Sequence, residues 1–274
     1  MSQPSCQKPK MQRMEGHAAF NVIAENNQTM LEKLYQSGAL KLRFPLYPDH
    51  HFEAVQINTA GGATGGDKLF WHGKFGAKTT TTMTTQAAEK IYRSLDGTPV
   101  EIDISLKLED GATLFWLPQE TLFFDRAFLK RKIVVEMERN CTLLMVESFI
   151  FGRKLMGENV NSGYLQDRWQ IYSGGKLIHF EALQINGNIG EQSCHQAIFD
   201  HNRAITTILY ISDDCEKKEV AARDIVGQSG GLSFWNGKLL ARLMAKSSYE
   251  LREKLVSLVK LLTKGAGVPN FWSM

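Results

Sequence analysis

A chain of 274 residues with 43% hydrophobic and 22% charged residues carries enough apolar mass for one sizeable core. Lysine plus arginine number 32 against 29 acids, a net charge of +3, which is too small a bias to argue for nucleic acid or an anionic membrane as partner. The four cysteines, Cys6, Cys141, Cys194 and Cys215, are widely spaced with no CxxC pair, so neither a zinc site of the usual spacing nor a disulfide framework is indicated, and the chain reads as reduced and cytoplasmic.

In chain order, residues 1–16 are polar, lack an apolar signal core, and are expected to form a loose tail ahead of a single domain over 17–274. From there the pattern is mostly β. Thr79–Thr85 is a threonine run that favours extended backbone. Residues 101–108 alternate strictly between polar and apolar, so one face turns inward. Asp110-Gly111 marks a turn before a strand over Ala112–Trp116, which Pro118 ends. Further strands are expected at Lys132–Glu138, Thr142–Phe149, Arg168–Tyr172, Lys176–Ile185 and Ala204–Ile211, with Ser173-Gly174-Gly175 as a hairpin turn. The apolar stretch Cys141–Phe151 is interrupted by Glu147 and is far too short to cross a bilayer. Two helices are expected. Asp213–Val226 has a modest stripe of Val220, Ala221 and Ile225. Ser247–Lys264 is clearer, with Leu251, Leu255, Leu258 and Leu262 on one face, a serine cap and Gly265 as its stop. Closely spaced strands without βαβ alternation indicate a sandwich, barrel or solenoid, although no fixed-period repeat is visible.

Four strings mix glycine or proline with polar residues that no strand or helix pattern requires. They are NTAGGATGGDKL (58–69), TTQAAEKIYRS (84–94), LFWLPQETLFFDRA (114–127) and FGRKLMGE (151–158). In the first, Gly65-Gly66-Asp67-Lys68-Leu69 lacks the GK[ST] ending of a phosphate loop, and a carboxylate there would repel phosphate. Asp67 is either a turn cap or a functional carboxylate on a rigid turn. In the second, Glu89 and Arg93 pair if the segment is helical and share one face if it is extended. Gln86 and Tyr92 join them as candidates for fixing a strand edge. In the third, Gln119 and Glu120 put polar groups beside Leu122-Phe123-Phe124, in a satisfied network or a wet interior path. In the fourth, Arg153 and Glu158 either present charge to a partner or tie the loop to a sheet. Cys194-His195 with His201 and Glu191, and His50-His51, are the best local metal clusters, and neither has diagnostic spacing. No GxSxG elbow is present.

Order and spacing of these four strings resemble the urease accessory protein D family, also called UreH, over nearly the whole chain. The resemblance implies two stacked sheets in a β-helical or sandwich-like arrangement. It implies a non-catalytic scaffold that helps deliver nickel to apo-urease together with accessory proteins F and G, the latter being the GTPase that carries nickel. It implies no tightly bound cofactor, only a nickel ion in transit through a water-filled interior route. Asp67, Glu120 and Glu147 are the carboxylates assigned to that route. Gly65, Gly66, Gln86, Glu89, Tyr92, Arg93, Gln119, Arg153 and Glu158 are assigned to partner binding or to the motif's own structure. The family often ends in a proline–arginine–aromatic string, whereas this chain has Val268-Pro269-Asn270-Phe271-Trp272 and lacks that charge. The competing readings are a β-rich interaction module without metal passage, and a hydrolase.

Overall fold

The structure is a computed structural model that describes residues 12–47, 52–153, 156–195, 198–263 and 268–273. Its strands are β1 (Glu15–Glu25), β2 (Gln28–Gly38), β3 (Leu40–Arg43), β4 (Glu53–Asn58), β5 (Lys68–Phe75), β6 (Thr80–Thr85), β7 (Glu89–Ile91), β8 (Val100–Leu108) and β9 (Thr113–Trp116). They continue with β10 (Thr121–Phe123), β11 (Phe128–Met137), β12 (Thr142–Phe151), β13 (Ser162–Ser173), β14 (Lys176–Asn188), β15 (Ala204–Ile211), β16 (Gly230–Trp235) and β17 (Lys238–Ala245). The helices are α1 (Ile189–Cys194), α2 (Cys215–Val226) and α3 (Ser248–Leu262). Strand β1 begins at Glu15, two residues ahead of the expected boundary at 17, and residues 1–11 lie outside the described residues.

The chain winds between two sheets, one turn of the coil above the next. The first sheet has the order β14-β13-β11-β8-β5-β1-β2 and the second β16-β17-β15-β12-β9-β6-β4-β3. Strands β5, β8, β11 and β13 pair in parallel, as do β4, β6, β9 and β12. This is the β-helical stacking that the resemblance implies. Lys68, Glu101, Lys130 and Gln166 stand side by side on successive turns, at intervals of 33, 29 and 36 residues. Because no two intervals agree, the solenoid leaves no fixed period in the sequence.

The two sheets are buried differently, and their patterns follow from it. The first keeps one face in water, so β8 buries Val100, Ile102, Ile104, Leu106 and Leu108 and leaves the alternate residues at least partly open. The second sheet is covered on both faces. In β12, Leu143, Met145 and Phe149 point into the core between the sheets, while Leu144 and Val146 pack in a second core with α2 and α3. The apolar run around Cys141–Phe151 is therefore a strand buried on both sides. Helix α3 buries Leu251, Leu255, Leu258, Val259 and Leu262, as its spacing requires, and Ser247 caps it through Glu250 N at 3.3 Å. The expected end at Lys264-Gly265 lies outside the described residues. In α2 the buried positions are Cys215, Ala222 and Val226, whereas Val220 and Ala221 are exposed. Of the expected stripe only Ile225 packs against this second core, and Cys215 at the helix start donates its thiol to Tyr210 O at 3.4 Å. Helix α1, only six residues long, gave no periodic signal.

Candidate functional site

The four unusual strings occupy one place. A narrow third side joins the two sheets, and each string supplies one rung of it. Ala63 bridges to Ile91 in β7, Ile91 faces Phe123 in β10, and Phe123 faces Phe151 at the end of β12, all in parallel. Their order in the sequence is their order in space. The glycines follow from the closeness of the next rung. A Cβ on Gly62 would stand 2.5 Å from the Tyr92 ring, and one on Gly65 would stand 2.4 Å from Thr98 O. Gly66 donates its N–H to Pro99 O, which fixes the same turn.

Asp67 closes this turn from within. Its carboxylate accepts Thr64 N and Met14 N, both at 2.8 Å, and it is buried. These two bonds are those of a turn cap, one of its two open readings. Asp67→Ala is expected to lower stability by about 0.5–2 kcal/mol, the scale of a lost cap. Urea unfolding measures this, and an unchanged midpoint would contradict it.

Behind the third side, a cavity of about 120 Å³ runs into the space between the sheets. At roughly 10–15 Å³ per water, it holds several. Gln86, Gln119, Asn58 and Glu89 lie among its outer lining, and Trp71, Ile104, Trp116, Arg131 and Glu147 form its inner end. Glu89 accepts Asn58 Nδ2 at 3.1 and 3.3 Å and Lys90 N at 3.2 Å. Burial pushes its pKa up to about 7, against the opposing pull of these donors.

The inner end is a buried charge cluster. Arg131 forks onto Asp167, Nε to Oδ1 and Nη2 to Oδ2, each at 2.8 Å. Its remaining Nη1 donates to Glu147 Oε2 at 2.5 Å, and its guanidinium lies over the Phe149 ring at 4.8 Å. Trp116 Nε1 donates to Glu147 Oε1 at 2.8 Å, and Trp169 Nε1 to Asp167 Oδ2 at 3.0 Å. Burial disfavours the guanidinium's charge, but attraction from Asp167 and Glu147 outweighs it and raises the Arg131 pKa. One cation thus faces two carboxylates, a net charge of −1 with all three ionised. Burial, reinforced by Asp167 and opposed by Arg131, pushes Glu147 up to about 7. A carboxyl raised this far changes its protonation near neutrality.

A sequence model for the family described as UreD urease accessory protein matches residues 14–273. The chain belongs to the UreD family. Similar proteins, each called urease accessory protein UreD, include one from Rhizobium leguminosarum bv. trifolii, 40% identical over 97% of this chain and 97% of that one. The relative from Agrobacterium fabrum is 37% identical over 98% of this chain and 94% of its own length. That from Mesorhizobium japonicum is 40% identical over 97% and 96%.

Arg131 and Asp167 were missed by motif reading in this UreD-family chain, although a signal existed. Leu129, Arg131, Ile133 and Val135 alternate on the buried face of β11, and Leu165, Asp167, Trp169 and Ile171 do so on β13. A charge in an apolar row needs a partner, and the register sets Arg131 opposite Asp167.

Glu120 stands elsewhere than the expected interior route. It does not line the cavity, but receives a forked ion pair from Arg252 of α3, at 2.8 and 2.9 Å from Nη2. Arg252 Nη1 also donates to Trp272 O at 2.9 Å, and Gln119 Nε2 to Phe271 O at 3.3 Å. These bonds from Arg252 and Gln119 latch Phe271 and Trp272 beside the cavity mouth. Segment 84–94 is extended, so the helical Glu89–Arg93 pair does not form: Glu89 enters the cavity and Arg93 lies outside. On that outer side Tyr92, Arg93, Phe124, Arg153 and Glu158 line a groove of about 390 Å³. Arg153 Nε donates to Glu158 at 2.7 Å and stacks over Phe124 at 4.7 Å, which ties its loop to the sheet.

Cys194 and His201 line a separate pocket of about 450 Å³, while Glu191 is held by Asn188 at the start of α1. Among the described residues no three histidine, cysteine or acidic side chains come together as a metal site, and His50-His51 lie outside those residues. No helix among the described residues is long and apolar enough to cross a membrane.

Glu89 yields a pH test. A carboxylate raised on folding contributes stability that is full below its unfolded value near 4.5 and is lost as pH rises through about 7. The unfolding free energy of wild type relative to Glu89→Gln is therefore expected to fall between about pH 4.5 and 7. Urea titrations across that window measure it, and parallel curves would contradict it.

Proposed function

We propose that this chain is a non-catalytic scaffold for urease assembly whose cavity conducts nickel toward apo-urease. The observation that carries the reading is the inner end of the cavity, where Glu147 completes a buried cluster of net charge −1. An arriving cation exchanges with the proton on Glu147, and metal binding to carboxylates releases protons in this way. Oxygen ligands hold nickel loosely enough to let it leave again. Amide carbonyls of Gln86 and Gln119 and the Glu89 carboxylate are of the same kind at the mouth, and water in the cavity keeps the ion partly hydrated. Asp67 and Glu120, also assigned to the route from the sequence, make structural contacts here, to the Thr64 and Met14 amides and to Arg252.

The family resemblance supports accessory proteins F and G as partners, with G bringing the nickel. It supports a cytoplasmic location, and the thiols of Cys141, Cys194 and Cys215 are free, which fits a reducing compartment. The test is complementation. A urease-positive host lacking its own family member is given this chain with the remaining urease genes of its source. Restored urease activity is the expected result. A folded, abundant chain that restores none would overturn the proposal.

A further inference from the structure

Strand β2 is the open end of the first sheet, and among the described residues no strand pairs with its outer edge. It is eleven residues long and exposed on both faces. Leu31 and Leu34 are 38% and 41% exposed although they stand opposite Val22 and Phe20, which belong to the core. On the other face Met30 and Tyr35 are 46% and 61% exposed. A solenoid end needs a cap to cover such residues.

The geometry points to a second copy of this chain as that cap, paired antiparallel through β2. The argument is the strand's self-complementarity. Asn21 faces Lys33 and Val22 faces Leu31, so Glu32 is the extra residue of a bulge. The bulge shifts the alternation by one. Leu31 and Leu34, three apart, then share the inner face, and Met30 and Tyr35, five apart, share the outer face. A two-fold axis centred between Glu32 and Lys33 sets these pairs opposite one another. Leu31 meets the partner's Leu34, Met30 meets the partner's Tyr35, and Thr29 meets the partner's Gln36. At the centre Glu32 meets the partner's Lys33, twice by symmetry.

A bulge and a lysine are the usual protections of an edge against a foreign strand. Against a second copy the same residues form a matched pair, which favours self-pairing over augmentation by an unrelated peptide. The two first sheets become one continuous sheet, and each exposed leucine gains an apolar neighbour.

Sedimentation equilibrium of the full-length protein across the micromolar range tests this. Wild type is expected to be a reversible dimer. K33E sets glutamate against glutamate twice and is expected to weaken the dimer roughly tenfold or more. The double variant E32K/K33E restores the opposite charges and is expected to regain wild-type association, and a mixture of E32K with K33E is expected to form the mixed dimer. Both positions are exposed, so circular dichroism should show the fold intact in every variant. A monomeric wild type, a K33E protein that associates like wild type, or a folded double variant that stays monomeric would each overturn the inference.

Discussion

Arg131→Met is expected to lower the unfolding free energy by about 3–5 kcal/mol, the cost of leaving buried charge unpaired. Arg131 is 6% exposed and is the cation holding Asp167 and Glu147 between the sheets. Methionine fills much of the volume but leaves two carboxylates facing each other in an apolar core. The loss has a pH signature. Glu147 is already raised by burial, and loss of the guanidinium removes the main effect that opposes it. Its stabilising contribution is then full at low pH and lost as pH rises, so the variant should suffer more near about pH 8 than near about pH 5. Adding Asp167→Leu and Glu147→Leu to Arg131→Met removes the charges altogether and is expected to recover much of the loss. Urea unfolding at the two pH values decides it. A change below about 1 kcal/mol for the single variant would mean that the cluster is not closed to water.

Leu255→Ala is expected to cost about 2–5 kcal/mol, the range for truncating a buried leucine. Leu255 is 4% exposed and lies in the second core, where α3 covers the outer face of β12, β15 and β17. That sheet is covered on both sides, so a void there cannot be relieved by solvent. Thermal unfolding reads the effect directly. An unchanged transition would place the leucine face outside the core.

The alternating strands were legible because one face of the first sheet meets water. Residues 101–108 are an example: their period of two survives intact in β8. The run in β12 was legible as apolar but not as two-sided, since burial on both faces erases alternation. The solenoid was hidden by turns of unequal length, and β16 and β17 by the absence of a strong pattern. In the candidate site, the strings themselves stood out because close rungs demand glycine at Gly62 and Gly65. Their convergence depended on strand register, which a single sequence does not display. Glu147 was assigned to the interior and lies there. Glu120 was assigned to it as well, but Arg252, more than a hundred residues later, claims its carboxylate. Arg131 and Asp167 carried a readable signal, charges in apolar rows, but only the fold shows that the two rows are adjacent.

The proposed route rests on Glu147 as the carboxylate that exchanges its proton for a cation. The most direct test is the nickel content of urease purified from cells in which Glu147→Gln replaces the wild-type chain. Glutamine resembles the protonated carboxyl in shape and cannot take the charge, so the variant should fold and co-purify with apo-urease. The account predicts urease with several-fold less nickel per active site than the wild-type preparation. Wild-type nickel content, from a variant shown to be folded and assembled, would contradict it.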